Sequence, residues 1–273
     1  MDCFVCENVM AQKSAWYYVC PKCGFEKTTL ESGAGRGVDG LELLRRQNFA
    51  LMIDHLQKHK ALKDISCLEV GCAEGWFIEA MQSQGVNMYA IEPSEMALPL
   101  QEKGYNITQG FFPDALKGDE QYDMIVFNDV FEHIPAPIGA IEQCEAHLKE
   151  GGLLVINLPS NKGLFYRLSK LLHKFGYSGP FERMWQVGLP SPHVSYFSPQ
   201  TLTRFTQKYT DLRPIESFTL PSVAKDGLKE RISASYNGLF GKILYWGIFC
   251  AMPLIKILPQ DICVVVFEKG KSA

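Results

Sequence analysis

Four cysteines near the start of the chain have the spacing of a metal site. Cys3-x-x-Cys6 and Cys20-x-x-Cys23 form two identical pairs separated by 13 residues, the second written Cys20-Pro21-Lys22-Cys23-Gly24, a knuckle turn relieved by Gly24. Four thiolates in this pattern suit tetrahedral Zn²⁺. A segment of about 25 residues buries too little apolar surface to fold alone, so the metal would supply its folding free energy. A redox dithiol and an iron centre are the weaker readings, since neither an open coordination position nor a nearby histidine suggests catalysis. The run Trp16-Tyr17-Tyr18-Val19 reads as a ribbon strand. Asp2, Glu7 and Glu26 balance Lys13, Lys22 and Lys27 over residues 1–28, so the ribbon lacks the basic excess of a nucleic-acid module.

A second cluster runs from Ile65 to Met81, I-S-C-L-E-V-G-C-A-E-G-W-F-I-E-A-M. It reads as an apolar strand, a glycine turn from Gly71 to Gly75, and a helix carrying Trp76, Phe77, Ala80 and Met81. Such a turn lets backbone pass close to a ligand. Val86–Ile91 reads as the next strand and ends at Glu92, 21 residues beyond Gly71, where a carboxylate accepts both hydroxyls of a ribose. A dinucleotide site is the runner-up. Ala73, however, holds the middle position of the turn and Gly75 follows too early for G-x-G-x-x-G. Glu69 and Glu74 would repel a diphosphate, yet they suit a cofactor with an ammonium and a sulfonium, such as S-adenosylmethionine.

Two histidines are placed as general bases. His133 lies in N-D-V-F-E-H-I-P and His193 in S-P-H-V-S-Y-F-S; His193 is the first choice for a substrate or catalytic role, and Tyr196, three residues on, is a further catalytic candidate. A neutral imidazole suits proton removal near pH 7. His133 also reads as a residue that fixes a cofactor loop. His55, His59, His147 and His173 fall in predicted helices on solvated faces and receive no role.

The elements that must position these residues follow from the rest of the chain. Its 273 residues are 47% hydrophobic and 21% charged, the composition of a folded globular protein of one large α/β domain plus a small appendage. Net charge is −3, which offers no general attraction for nucleic acid. The charge is uneven: residues 62–159 hold 16 acidic and 4 basic side chains, and residues 160–242 hold 5 acidic and 12 basic. Among nine cysteines, Cys67, Cys72, Cys144, Cys250 and Cys263 sit in apolar segments as small buried hydrophobes. The first residues show no signal-peptide pattern, so a cytoplasmic, reducing setting is expected. Residues 29–40 read as a Gly-rich linker, and residues 41–59 as an amphipathic helix entering the main domain.

Further on, residues 163–176 place Leu164, Phe165, Leu168, Leu171, Leu172 and Phe175 on one helical face with Arg167, Lys170 and Lys174 off it. This reads either as an ordinary packed helix with a solvated basic face or as a lid over an anionic substrate. Residues 238–255 are strongly apolar, but the uncharged stretch from Lys242 to Lys256 is 13 residues and contains Pro253, short of the ~20 needed to span a bilayer. A packed helix or homodimer contact is the leading reading and a peripheral membrane patch the second. Asp261–Phe267 reads as the last strand.

With these motifs in place, the chain resembles the class I S-adenosylmethionine-dependent methyltransferases. The resemblance is carried by Leu68-Glu69-Val70-Gly71-Cys72-Ala73-Glu74-Gly75, by Ile91-Glu92-Pro93, by Tyr122 to Pro135, and by Leu148 to Ile156. Four motifs in order make it specific. It is strongest to the branch of ubiquinone-type O-methyltransferases and methyltransferases of sugars and glycans. It implies a Rossmann-like, seven-stranded, doubly wound α/β sheet behind the small zinc ribbon, with a substrate-covering insertion at about 160–255 in a domain of residues 41–273. It implies that Gly71 and Gly75 pack under the methionine moiety, that Glu92 holds the ribose, and that Phe111 lies against adenine. Asn128 and Asp129 would stand beside the transferable methyl, and Glu69 and Cys72 belong to the same cofactor pocket. One departure is Ala73, where many members have glycine; alanine costs little there if φ is negative. The expected activity is O-methylation of a small-molecule, sugar or lipid-linked glycan acceptor, anionic if the basic region meets it. An RNA methyltransferase using the ribbon is the alternative.

Overall fold

A computed structural model describes residues 1–35, 41–224, 228–233 and 238–270. The end of the expected linker, residues 36–40, lies outside them. Three short strands open the chain, β1 (Ala11–Gln12), β2 (Tyr17–Val19) and β3 (Glu26–Thr28), followed by helix α1 (Glu42–Leu56). Strands and helices then alternate: β4 (Ser66–Val70), α2 (Trp76–Gln82), β5 (Asn87–Glu92), α3 (Ala97–Glu102), β6 (Asn106–Gln109) and β7 (Tyr122–Asn128). A 3-10 turn (Phe131–His133), α4 (Pro137–His147) and the long β8 (Leu148–Pro159) complete this half. The second half holds α5 (Leu164–Lys174), α6 (Gly179–Met184), β9 (Ser195–Tyr196), α7 (Pro199–Tyr209), β10 (Arg213–Leu220), α8 (Leu228–Ser233), α9 (Gly238–Ile255) and β11 (Ile262–Glu268).

The expected seven-stranded sheet is present, in the order β10-β11-β8-β7-β4-β5-β6. Strands β4 to β8 run parallel, and β11 runs against both its neighbours. Parallel strands are covered on both faces, so their residues are apolar in succession: Met124, Ile125, Val126 and Phe127 are all fully buried. Alternate residues serve opposite layers. Ile125 and Phe127 pack with α4, α7 and the N-terminal ribbon, while Met124 and Val126 pack with α1 and α2. The chain winds from β4 to β5 and β6 on one side and returns through β7 to β8 on the other. The crevice at the carboxyl ends of β4 and β7 is therefore where a ligand binds in this topology.

Two placements differ from expectation. Residues 160–255 do not form one covering insertion, because β10 is an edge of the main sheet and α7 packs into its core through Leu202 and Phe205. Helix α5 is turned over: it buries Tyr166 and Ser169 and leaves Leu168, Leu171 and Phe175 exposed. The reason is polar. The Asp261 carboxylate accepts the N–H groups of Phe165 and Tyr166, and Lys170 reaches a buried carboxylate, Glu26, at 2.7 Å. Helix α9 likewise seats Met252 against Leu228 and Ile232 of α8 and exposes Leu239, Ile243, Trp246 and Leu254. Among the described residues no helix is long and apolar enough to cross a membrane.

The ribbon is built into the fold. Strand β3 pairs with β9, giving a second sheet in the order β1-β2-β3-β9. Phe4 and Phe25 stack into a row with Phe197 and Phe205, at centroid separations of 4.5 to 5.6 Å.

Candidate active site

Backbone conformation shapes the crevice first. Gly71 has φ +73°, and a Cβ built on it would lie 2.5 Å from Cγ2 of Val130, so the turn after β4 passes against the turn after β7 only as glycine. Ala73 has φ +45°. The alanine is thus not the innocuous replacement that a negative φ would make it, and it carries left-handed strain of roughly 1–2 kcal/mol. Its N–H donates to Oε2 of Glu92 at 3.0 Å, which holds the strained loop down.

Glu92, at the end of β5, is buried. Oε1 accepts from the N–H and hydroxyl of Ser94 at 2.9 and 2.6 Å. A carboxylate offers about four acceptor sites, and protein donors fill three. The room left suits one ribose hydroxyl rather than the expected two.

Glu69, at the end of β4, is 2% exposed. Oε1 accepts from Nδ2 of Asn128 at 2.9 Å, whereas Oε2 is buried with no partner among the described residues. Burial, with the Glu92 charge nearby, pushes this carboxyl up to about 8. Asp129, at φ +54°, pairs with Arg45 of α1 at 3.3 Å. Arg45, Phe49, Cys72 and Trp76 close the remaining sides, leaving a cavity of about 20 Å³. Cys72 is buried in the wall of this cavity, whereas Phe111, 56% exposed beside the core residue Phe112, is not among the residues that line it. Glu69, Glu74 and Asp129 line the cavity with Arg45, and once Glu69 ionises the acidic groups outnumber the arginine, a field that favours a cation.

His133 and His193 come together beside the crevice with ring centroids 4.8 Å apart. Nδ1 of His133 lies 3.0 Å from the carbonyl of Pro192, so Nδ1 carries the proton and Nε2 presents a lone pair. Both nitrogens of His193 are occupied: Nε2 by the Gln186 amide at 3.0 Å and Nδ1 by the Tyr196 hydroxyl at 3.2 Å. Tyr196 in turn donates to the carbonyl of Met184 at 2.8 Å and is enclosed by Tyr166 and Trp185. Burial pulls both imidazoles below their ordinary value, His193 the more strongly. Between them, the Glu132 carboxyl has no hydrogen-bond partner among the described residues and lies 3.9 Å from Nε2 of each ring. Burial, then the Asp129 charge, raises it well above the carboxylate range. These three side chains offer donor atoms close enough together to hold a cation.

The four N-terminal cysteines converge as expected. All four Sγ atoms lie within 4.8 Å of one another, with Cys3–Cys23 at 3.6 Å and Cys6–Cys20 at 3.4 Å. Thiolates ~2.3 Å from a tetrahedral ion stand about 3.8 Å apart, so the set fits one. In both knuckles the residue after the second cysteine, Glu7 and Gly24, is left-handed.

Several residues of the site had no signal in the sequence. Arg45 was one charge on an amphipathic helix, Gln186 fell in an unremarked loop, and Glu132 stood inside a motif without a role. His55 and His59 do not simply face solvent; both bond the Glu216 carboxylate, at 2.6 and 2.8 Å.

Comparison with known proteins bears on the family and the fold. Ubiquinone biosynthesis O-methyltransferase of Colwellia psychrerythraea is 28% identical over 116 residues, covering 40% of this chain and 47% of that protein. Its namesake in Actinobacillus pleuropneumoniae is 32% identical over 117 residues, covering 38% and 50%. The chain thus spans about half the length of the curated relatives it matches. A SAM-dependent methyltransferase structure from Archaeoglobus fulgidus superposes with a TM-score of 0.52 at 16% identity, over 84% of this chain and 97% of that one, a likeness of fold. A family model described as a methyltransferase domain matches residues 44–209, more than half of the chain, and the protein therefore belongs to the methyltransferase-domain family.

Proposed function

We propose that this chain is an S-adenosylmethionine-dependent methyltransferase that methylates an oxygen of a small-molecule, sugar or lipid-linked glycan acceptor. The observation that carries the cofactor is the buried Oε2 of Glu69, without a partner among the described residues, close to Gly71, where a side chain would strike Val130. Glu69 would take the cofactor's ammonium and Glu92 a ribose hydroxyl, with Phe111 beside adenine. When bound, the cofactor supplies a methyl group on a sulfonium, already activated for displacement. The relatives named for O-methylation support an oxygen acceptor.

Alignment of that oxygen is the larger task, and proton removal the smaller. His133 suits the second: burial holds it neutral near pH 7, its proton is fixed on Nδ1, and Nε2 makes no hydrogen bond among the described residues. His193, the first choice from sequence, is closed by Gln186 and Tyr196 and serves better as a prop for His133. A proton taken by His133 places its positive charge 3.9 Å from the Glu132 carboxyl oxygen. The exposed apolar faces of α5 and α9 support an acceptor with an apolar tail, met at a membrane surface or a subunit contact. Zinc at Cys3, Cys6, Cys20 and Cys23 is supported by the sulfur spacing. The packing of the ribbon against α7 and β9 speaks against a free RNA-recognition module.

Incubation with methyl-labelled S-adenosylmethionine and cell extract should place label in the lipid or small-molecule pool; label in RNA would overturn the acceptor class. On the acceptor so identified, His133→Ala should lower kcat by about 10²–10⁴ with cofactor affinity unchanged. Wild-type turnover by that variant would remove His133 as the base.

A further inference from the structure

The last strand of the ribbon is also a wall of the histidine site. Glu26 lies opposite Tyr196 and Lys27 opposite Ser195 across β3 and β9. Just before β9, the N–H of Thr28 donates to the carbonyl of Val194 at 3.0 Å and its hydroxyl donates to the carbonyl of His193 at 3.3 Å. The same short stretch supplies the Pro192 carbonyl that sets the tautomer of His133. Its N–H groups are held from the other side, His193 by the Trp185 carbonyl at 3.1 Å and Val194 by the Glu132 carbonyl at 2.8 Å. The ribbon therefore holds the carbonyl side of this segment and the main domain the N–H side.

Glu26 makes a second tie. Its carboxylate, 3% exposed, accepts from the hydroxyl of Tyr17, from that of Tyr166 at 2.6 Å and from Lys170 at 2.7 Å. Tyr17 belongs to the ribbon, and Tyr166 and Lys170 to α5. One buried carboxylate thus joins the metal knuckles to a helix of the second half, and losing it would strand two hydroxyls and an ammonium.

A two-residue strand such as β9 has no order of its own, and a ribbon of two- and three-residue strands has none without its cross-link. We propose that the ribbon is a working part of the acceptor site: a metal at the four cysteines keeps β3 in place, and through Thr28 and Glu26 this positions the 191–198 segment that orients His133. Thr28 and Glu26 are positioning residues. The proposal rests on the zinc reading and on His133 as the base, and it predicts a chain that, without its metal, still binds S-adenosylmethionine but presents no ordered acceptor site.

Hydrogen exchange read by mass spectrometry tests this on the full chain without knowledge of the acceptor. Elemental analysis comes first; a chain that carries no metal as purified, or full metal in Cys20→Ser, refutes the zinc reading and with it the proposal. With metal present, its removal by a chelator should speed exchange in residues 191–198 at least tenfold, leave β4, β5 and β7 unchanged, and keep the dissociation constant for S-adenosylmethionine within about twofold. Unchanged exchange in 191–198 after metal loss overturns the coupling, and so does equal loss of protection across the main sheet. Thr28→Val, which keeps shape and metal, should speed exchange in 191–198 about fivefold, and Thr28→Ser should restore it. Failure of serine to rescue would show that the hydroxyl does not act as stated.

Discussion

Gly71→Ala should lose measurable affinity for S-adenosylmethionine and melt about 5–15 °C below the parent chain. Two effects add. At φ +73° an alanine takes on left-handed strain of roughly 1–2 kcal/mol. Its Cβ would also sit 2.5 Å from one methyl of Val130 and 3.3 Å from the other, and overpacking of this kind costs about 1–3 kcal/mol more. Val130 leads into the turn Phe131–His133, so a shift of its backbone reaches the cofactor crevice and the histidine pair together. Gly118→Ala is the matched control, because Gly118 has φ +57° with no atom within 4 Å of the added carbon. It should show the conformational cost alone, with cofactor affinity intact. Calorimetry of both variants with and without cofactor decides the matter, and a Gly71→Ala chain with parental affinity would remove the crevice as the cofactor site.

The second large effect is a pH dependence set by Glu69. Burial raises its carboxyl from 4.5 to about 8 in the free chain, so near pH 6.5 the group is mostly protonated. A cationic ligand binds the ionised form, so binding below pH 8 must expel a proton. The dissociation constant should therefore fall as pH rises, by up to about tenfold per unit, and flatten above about 8. The cofactor's own amino group titrates in the same range, so the quantity to follow is the ratio of wild-type to Glu69→Gln constants, in which that effect cancels. Stability moves the other way. With the folded value raised, the contribution of Glu69 is fully present below about 4.5 and lost as pH climbs through about 8, a difference on the order of a few kcal/mol. Glu69→Gln should melt higher than the parent at pH 8.5 and level with it at pH 5. A ratio that does not vary with pH would place the cation elsewhere.

Much of this architecture was legible because it depends on local pattern. The glycine turn, the apolar runs of β7 and β8 and the two cysteine pairs each specify their structure within a few residues, and the sheet and the sulfur cluster follow. What the sequence concealed depends on contacts between distant segments. The outward face of α5 is set by Asp261, 96 residues beyond Phe165, and by Glu26, so its apolar periodicity pointed the wrong way. The sign of φ at Ala73 comes from its bond to Glu92, 19 residues on. The choice between His133 and His193 turned on Gln186, a residue whose type and surroundings carry no chemical pattern.

Helix α1 closes the cofactor crevice through Arg45 and Phe49, and the space beneath is about 20 Å³, against the several hundred that a ligand of this size occupies. A cofactor held as proposed enters only once Arg45 and Phe49 move aside. The observed association rate should level off at high cofactor concentration, at the opening rate of the Arg45–Asp129 latch, and rise with ionic strength as salt weakens that pair. Departure passes the same gate, so the spent cofactor leaves no faster than α1 opens. On the proposed reading, that opening rate sets an upper limit on turnover that does not depend on which acceptor is methylated.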